Sequence, residues 1–155
     1  MNYTEKKIIF ESDKIYYTEK GVELEIGFGM GISATYIQSH TINSHTIIEN
    51  HPQIIPKAHA WAADKPNVTI LEGSWYDIKD SLLTYDGVFY DTFGDDDMIH
   101  FASSLPSLVK KGGVATWWNN LEEENNFYNI PNVTYQICIL IVQLIIYLNG
   151  NNKNI

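Results

Sequence analysis

The sequence predicts an α/β fold with a doubly wound, mainly parallel sheet, and three observations support this prediction. Short apolar strands alternate with helical segments through most of the 155 residues. Helices that cross between consecutive strands make those strands parallel and cover both faces of the sheet. Glycines cluster directly after the first core strand, where the strand-to-helix turn of such folds binds ligands. The length suits a single domain over residues 1–155.

The predicted elements follow one another with short connections. Residues 1–20 are expected to form an N-terminal hairpin arm, in which "ESD" turns between "KIIF" and "KIYYT". Residues 22–135 form the predicted core, whose strands contain "VELEI", "HTIIE", "NVTILEG", "YDGVFYDTFG" and "GVATWWN". Helices are expected over residues 32–40, 52–65, 78–83 and 96–111, the second started by Pro52 and the last closed by Gly112-Gly113.

Residues 136–155 give the predicted fold an atypical C-terminal end. The run "ICILIVQLIIYL" is shorter than the ~20 apolar residues of a membrane span and contains Gln143. We expect buried strands here rather than a span. No charged residue interrupts this β-prone run, so it predicts a homo-oligomer formed through the apolar C-terminal strand.

Composition excludes some classes of partner. The 10 Lys and Arg residues against 19 Asp and Glu give a formal charge of −9, which repels nucleic acid and anionic lipid. The one cysteine, Cys138, cannot form an internal disulfide, and "MNYTEKKIIF" lacks the apolar core of a secretory signal. We expect a cytoplasmic protein without nucleic-acid or membrane partners.

The stretch "LEIGFGMGISATY" carries the predicted ligand site. Its glycines, Gly27, Gly29 and Gly31, let the backbone approach a ligand closely, although a plain tight turn is the alternative. The third glycine comes one residue too early for the dinucleotide pattern G-x-G-x-x-G. Glu25 adds a carboxylate that repels phosphate and attracts an ammonium. S-adenosylmethionine has an amino group and a sulfonium but no phosphate, and is the predicted cofactor.

Glu49 ends the second core strand, about 20 residues beyond the glycine turn, the offset of an acid that binds a ribose. A solvated acid at a strand end is the alternative interpretation. Together with the glycine turn, the spacing favours the ribose.

These segments resemble a known family. "LEIGFGMGISATYIQ", "HTIIEN", "ILEGSWYDI", "YDGVFYDTFG" and "LVKKGGVATWW" are similar to the core of guanidinoacetate N-methyltransferases and the related arginine-methyltransferase-like class I methyltransferases. The resemblance covers about residues 24–135. It implies a seven-stranded Rossmann-like sheet, S-adenosylmethionine as cofactor, S-adenosylhomocysteine as product and a small guanidino compound as methyl acceptor, with a protein arginine as the second choice.

The resemblance also implies roles for individual residues. The turn would wrap the methionine moiety of the cofactor, Glu49 would hold the ribose with Asn50 beside it, and Ser74 and Trp75 would flank the adenine. Trp75 could instead be a packed core aromatic. The implied cofactor-binding residues are Glu25, Gly27, Phe28, Gly29, Met30, Gly31, Ile32, Glu49, Asn50, Ser74, Trp75 and Asp91.

Asp91 is the candidate catalytic residue. A guanidinium is protonated at neutral pH and a poor nucleophile, so its methylation needs carboxylates that bind the cation and a base that takes a proton. Asp91 stands at the carboxyl end of the fourth core strand and by resemblance faces the sulfonium and the acceptor. A strand-end acid that caps the turn "TFGD" is the alternative.

The other acids and the histidines receive no catalytic or metal role. The sequence predicts that Asp95, Asp96 and Asp97 cap the following helix. The histidines lack the spacing of a zinc site, so we expect no metal and place them at the surface or in loops. They are His40, His45, His51, His59 and His100.

One further expectation concerns the lid over the site. The resemblance implies a helix with a Trp-Glu motif before the first core strand, whereas "YYTEKG" runs directly into "VELEIGFGMG". Glu11 in "FESD" is the candidate stand-in for the missing carboxylate, and an acid in a hairpin turn is the alternative. The alternative function is a chain that binds S-adenosylmethionine but is catalytically impaired because it lacks the lid helix.

Overall fold

A computed structural model describes residues 20–92, 97 and 100–117, and short strands at residues 6–7, 133–134, 139–141 and 146–148. Most of the predicted hairpin arm, Glu11, Asp95 and Asp96 lie outside the described residues. In the described part, no helix is long and apolar enough to cross a membrane.

The elements alternate along the chain as the sequence predicts. The strands are β1 (Lys6–Lys7), β2 (Val22–Ile26), β3 (Ser44–Glu49), β4 (Val68–Glu72), β5 (Tyr85–Tyr90), β6 (Val109–Trp117), β7 (Val133–Thr134), β8 (Ile139–Ile141) and β9 (Ile146–Leu148). The helices are α1 (Ile32–Gln38), α2 (Ile55–Ala62), α3 (Trp75–Ile78) and α4 (Phe101–Leu108), with a 3-10 turn over Lys79–Ser81.

The main sheet has seven strands in the order β4-β3-β2-β5-β6-β1-β7. Each of its pairs is parallel, which confirms the predicted α/β fold. The order reverses beside β2, so the glycine turn lies at a switch point of a doubly wound sheet. Strands β8 and β9 pair antiparallel in a separate sheet, so part of the apolar C-terminal run pairs with itself.

Both faces of the sheet are packed. Ile47 and Ile48 are neighbours in β3 and therefore point to opposite faces. Ile47 joins a cluster with residues of α1 and α2, whereas Ile48 joins the larger cluster with residues of α3 and α4. The helices therefore hold the central strands between two apolar layers, which fixes the carboxyl edge of the sheet in place.

The helix boundaries differ from the prediction. Helix α2 begins at Ile55 rather than at Pro52, because residues 51–54 first form a turn and Pro56 occupies the first helical turn. Helix α4 runs only over Phe101–Leu108. Gly112-Gly113 does not close this helix but lies inside β6, where the sheet register shifts. A side chain at Gly113 would meet the Asp86 carbonyl oxygen at 2.8 Å, so the close approach of β5 requires glycine there.

Candidate active site

Three predicted site residues meet at the carboxyl edge of the central strands. The Gly27 amide donates to the Ile48 carbonyl at 2.9 Å, and the Asp91 amide donates to the Ile26 carbonyl at 3.1 Å. These bonds extend the pairing of β2 with β3 and of β2 with β5 by one residue beyond the strand ends. Gly27, Glu49 and Asp91 therefore end three adjacent strands at the same edge, β2, β3 and β5.

The glycine turn uses positive φ angles at each of its glycines. Gly27 has φ 95°, and a Cβ there would lie 2.4 Å from the Asp91 carbonyl oxygen. Gly29 has φ 55°, but in the described part of the chain no atom beyond its sequence neighbours lies within 4 Å of a Cβ built on it. The turn therefore packs against β5 at Gly27 and is open at Gly29, which leaves room for a ligand.

The side chains of the turn divide into a buried anchor and an exposed rim. Phe28 is buried and its ring lies 5.4 Å from that of Trp61 on α2. Met30 and Ile32 are 86% and 58% exposed, although both are apolar. Phe28 thus anchors the turn against α2, and the exposed side chains of Met30 and Ile32 form an apolar surface that a ligand could contact.

Gly27→Ala is expected to destabilise the chain by ~2–4 kcal/mol, because the methyl group collides with backbone and the left-handed φ is strained. Gly29→Ala, which meets the strain without the collision, is the matched control and should cost only ~1–2 kcal/mol. Urea denaturation of both variants measures the difference. Equal costs would mean that the packing of Gly27 against Asp91 does not constrain the turn.

Glu49 is buried and ties the glycine turn to the end of β3. Its Oε2 accepts from the Phe28 amide at 2.9 Å and the Gly29 amide at 3.3 Å. Its Oε1 accepts from the Asn50 and His51 amides at 2.9 and 2.8 Å. A solvated strand-end acid is therefore wrong for Glu49, because four backbone donors surround its carboxylate.

These bonds bear on the predicted ribose site. A carboxylate has about four acceptor positions, and four amides already use those of Glu49. A ribose hydroxyl can donate to Glu49 only if one of the four amide donors is displaced. The bond from the Gly29 amide, at 3.3 Å, is the longest of the four. Since Gly29 is also the open position of the turn, the residues present can accommodate a ribose at this point.

Asp91 has an exposed side chain beside the turn. The protein around it nevertheless desolvates the carboxyl, which raises the pKa of Asp91 above its ordinary value. A partly desolvated acid at a strand end suits a group that binds a cation and accepts a proton. Its catalytic role stays a prediction.

The predicted adenine residues divide into one at the edge and one in the core. Ser74 caps α3, accepting from the Tyr76 amide at 3.2 Å and donating to Asp97 at 2.9 Å. Trp75 is only 2% exposed, and its indole N–H donates to the Tyr90 hydroxyl at 2.8 Å. The alternative interpretation, a packed core aromatic, therefore matches the position of Trp75.

Glu25 does not reach the open side of the turn in this structure. It is fully buried, its Oε1 accepts from the Ser33 hydroxyl, and its Oε2 lies 2.8 Å from His45 Nε2. His45 is also fully buried, so its predicted surface or loop position is wrong. The alternation of β3 contains the missed signal, because His45 shares a face with Ile47 and Glu49.

Asp97, His59 and His100 have contacts other than the predicted ones. Asp97 does not cap α4, because that helix begins only at Phe101 and no side chain caps it. His59 is half exposed and pairs with Glu72 at 2.7 Å, while His100 stacks on Tyr76. Among the described residues, no group of three His, Cys, Asp or Glu could hold a metal ion.

The family model described as guanidinoacetate N-methyltransferase matches residues 1–127, which include the glycine turn, Glu49 and Asp91. The chain belongs to this family. The predicted resemblance is thereby confirmed.

The chain is similar to curated proteins from fungi, two of which follow. The chain is 40% identical over 111 residues to protein arginine N-methyltransferase 2 of Candida glabrata, which covers 66% of this chain. It is 38% identical over 113 residues to that of Saccharomyces cerevisiae, which covers 67%. The chain spans 27% of the length of each of these two relatives.

Solved structures share the fold. Aeropyrum pernix fibrillarin in complex with S-adenosyl-L-methionine has a TM-score of 0.55 at 15% identity and covers 64% of this chain and 46% of its own. The Trypanosoma brucei PRMT1 enzyme-prozyme complex with AdoHcy has the same TM-score and identity and covers 73% of this chain and 36% of its own. At these identities the likeness supports the Rossmann-like class I methyltransferase fold alone.

Proposed function

We propose that this chain binds S-adenosylmethionine and belongs to an N-methyltransferase whose acceptor is a guanidinium group. The observation that carries the proposal is the carboxyl edge, where Gly27, Glu49 and Asp91 end three adjacent strands. Membership of the guanidinoacetate N-methyltransferase family supports the same activity. An impaired remnant is the less favoured alternative, because the residues of this edge are all present.

The proposed roles follow from the chemistry of each group. The open backbone at Gly29 and the apolar side chains of Met30 and Ile32 would hold the methionine moiety. Glu49 would accept a hydrogen bond from the ribose while its other bonds hold the turn. When bound, S-adenosylmethionine supplies a methyl group on a sulfonium, which is transferred to the acceptor nitrogen.

Asp91 would act on the acceptor. Its carboxylate would bind the guanidinium cation and accept the proton that the nitrogen loses as its new bond to carbon forms. The raised pKa of Asp91 makes it a stronger base than an ordinary aspartate, which favours this proton transfer.

Two sources of the guanidinium remain to be distinguished by experiment. The resemblance in sequence predicts a small guanidino compound, and the family is named for guanidinoacetate. The identity of 38–40% to enzymes named protein arginine N-methyltransferase 2 favours an arginine side chain in a protein. We propose the arginine side chain as the acceptor of the whole protein. Transfer of radiolabelled methyl to an arginine-containing peptide, compared with guanidinoacetate, separates the two.

Glu49→Ala is expected to weaken binding of S-adenosylhomocysteine by ~1–3 kcal/mol, because ribose hydroxyls lose a charged acceptor. Calorimetry measures the affinity, and NAD should not bind to either chain. Glu72→Ala is the matched control, since Glu72 is paired with Glu49 in the register at the end of β4 but is exposed. Equal affinity of native and Glu49→Ala chains would remove the ribose assignment, and no binding by the native chain would remove the proposed cofactor.

A further inference from the structure

A chain of four polar side chains connects α1 to the two central strands beneath the glycine turn. At one end, the Ser33 hydroxyl donates to Glu25 Oε1. In the middle, Glu25 Oε2 lies 2.8 Å from His45 Nε2, and both side chains are fully buried. At the other end, Gln38 Nε2 lies 3.4 Å from His45 Nδ1. The chain therefore ties the first turn and the last residue of α1 to the sheet.

This polar chain stands where apolar packing would normally suffice. Burying a carboxylate beside an imidazole costs free energy, and apolar residues of similar size are often as stable. A satisfied polar chain instead specifies one arrangement of its elements, because a shift of either helix end leaves a buried polar group without its partner. The benefit of Glu25 and His45 is therefore a fixed position of α1 rather than stability.

The position of α1 controls the glycine turn. The helix begins at Ile32, directly after Gly31, and the Thr35 amide and hydroxyl both donate to the Gly31 carbonyl, at 2.9 and 2.6 Å. The Gly31 amide in turn donates to the Phe28 carbonyl at 2.8 Å. A displacement of α1 thus moves the turn through direct hydrogen bonds.

We propose that Ser33, Glu25 and His45 are positioning residues that hold the glycine turn in its binding geometry through α1. Both oxygens of Glu25 are engaged inside the protein, so Glu25 acts through the helix and not by touching the cofactor. The inference rests on the proposed function only where cofactor binding is the measurement.

The test removes the hydroxyl at one end of this series of polar contacts, in the intact 155-residue chain. Ser33→Ala removes the hydroxyl but leaves the Glu25–His45 pair in place, and Ser33→Thr restores a hydroxyl. Ser39→Ala is the matched control, because the Ser39 hydroxyl lies at the end of the same helix. It donates to the Tyr36 carbonyl and takes no part in the contacts among Ser33, Glu25, His45 and Gln38. Calorimetry with S-adenosylhomocysteine and hydrogen exchange at the Gly31 amide are measured for all variants.

We expect Ser33→Ala to weaken binding of S-adenosylhomocysteine by about tenfold, the order of effect of one lost hydrogen bond. Exchange at Gly31 should speed up in the same variant, while Ser33→Thr and Ser39→Ala stay close to the native chain. Native affinity and native Gly31 exchange in Ser33→Ala would overturn the proposal. If the native chain binds no S-adenosylhomocysteine, the proposed function fails, and Gly31 exchange alone decides the positioning role.

Discussion

Asp91→Asn is expected to lower the rate of guanidinium methylation by ~10²–10⁴-fold, the range for loss of a positioned base. The amide keeps the shape of the carboxylate but neither neutralises the cation nor accepts its proton. A radiolabelled methyl donor with a peptide acceptor measures the rate. Asp80→Asn is the control, because Asp80 is 94% exposed and its ion-pair partner among the described residues is Lys79. A native rate in Asp91→Asn would exclude Asp91 as the base.

The rate should also depend on pH through Asp91. Only the carboxylate form binds the cation, and desolvation by the surrounding protein raises the pKa of Asp91 above its ordinary value. As pH falls, activity should therefore be lost at a higher pH than an ordinary aspartate would give. The acid limb of a pH–rate profile measures this loss.

Stability should change with pH in the opposite sense. The folded pKa of Asp91 lies above its unfolded value, so the ionised group destabilises the fold above the folded pKa, and this cost disappears as pH falls below the unfolded pKa. Asp91→Asn should therefore be at least as stable as the native chain at neutral pH. The free energies of unfolding of the two chains should converge in acid. Because the variant is at least as stable as the native chain at neutral pH, unfolding does not explain its lower rate.

The sheet and its edge were predictable because their signals are local. The strands "VELEI", "HTIIE" and "NVTILEG" are apolar and short, and each ends at its predicted residue or within one of it. Parallel pairing then places Gly27, Glu49 and Asp91 at one edge without further information. The positions of these residues could therefore be obtained before any coordinates.

What the sequence did not predict depends on tertiary packing. A glycine pair can close a helix or allow close strand approach, and the second applies at Gly113, where a Cβ would lie 2.8 Å from the carbonyl oxygens of Asp86 and Lys110. Likewise, an aromatic after a strand can face a ligand or the core. The Tyr90 hydroxyl, which accepts the hydrogen bond from the buried Trp75, lies on β5 and not on β4, the strand that precedes Trp75.

The buried pair of ionisable side chains, Glu25 and His45, was the largest omission. Glu25 stands in a strand covered on both faces, so an acid there needs a partner inside the protein. The period of two along "SHTIIE" offers His45 on the same buried face as Ile47, but a single sequence does not reveal which buried acid and base meet. The register of β2 with β3 supplies that information.

His45→Leu is expected to destabilise the chain by ~3–5 kcal/mol, because it leaves the Glu25 side chain buried without the His45 side chain that pairs with it. The double variant Glu25→Leu with His45→Leu should cost clearly less than the sum of the two single changes, since it removes both halves of the pair at once. Urea denaturation of the native chain, both single variants and the double variant measures the coupling free energy.

The size of that coupling separates two explanations of the buried pair. Coupling of about 2 kcal/mol or more means that Glu25 and His45 act as one unit, as the positioning proposal requires. Additive effects would mean that each side chain is held by its other neighbours, Ser33 and Gln38, and that the pair does not link the strands. Leu105→Ala combined with His45→Leu is the control. Their effects on the free energy of unfolding should be additive, because Leu105 is a residue of α4 and belongs to the other core cluster.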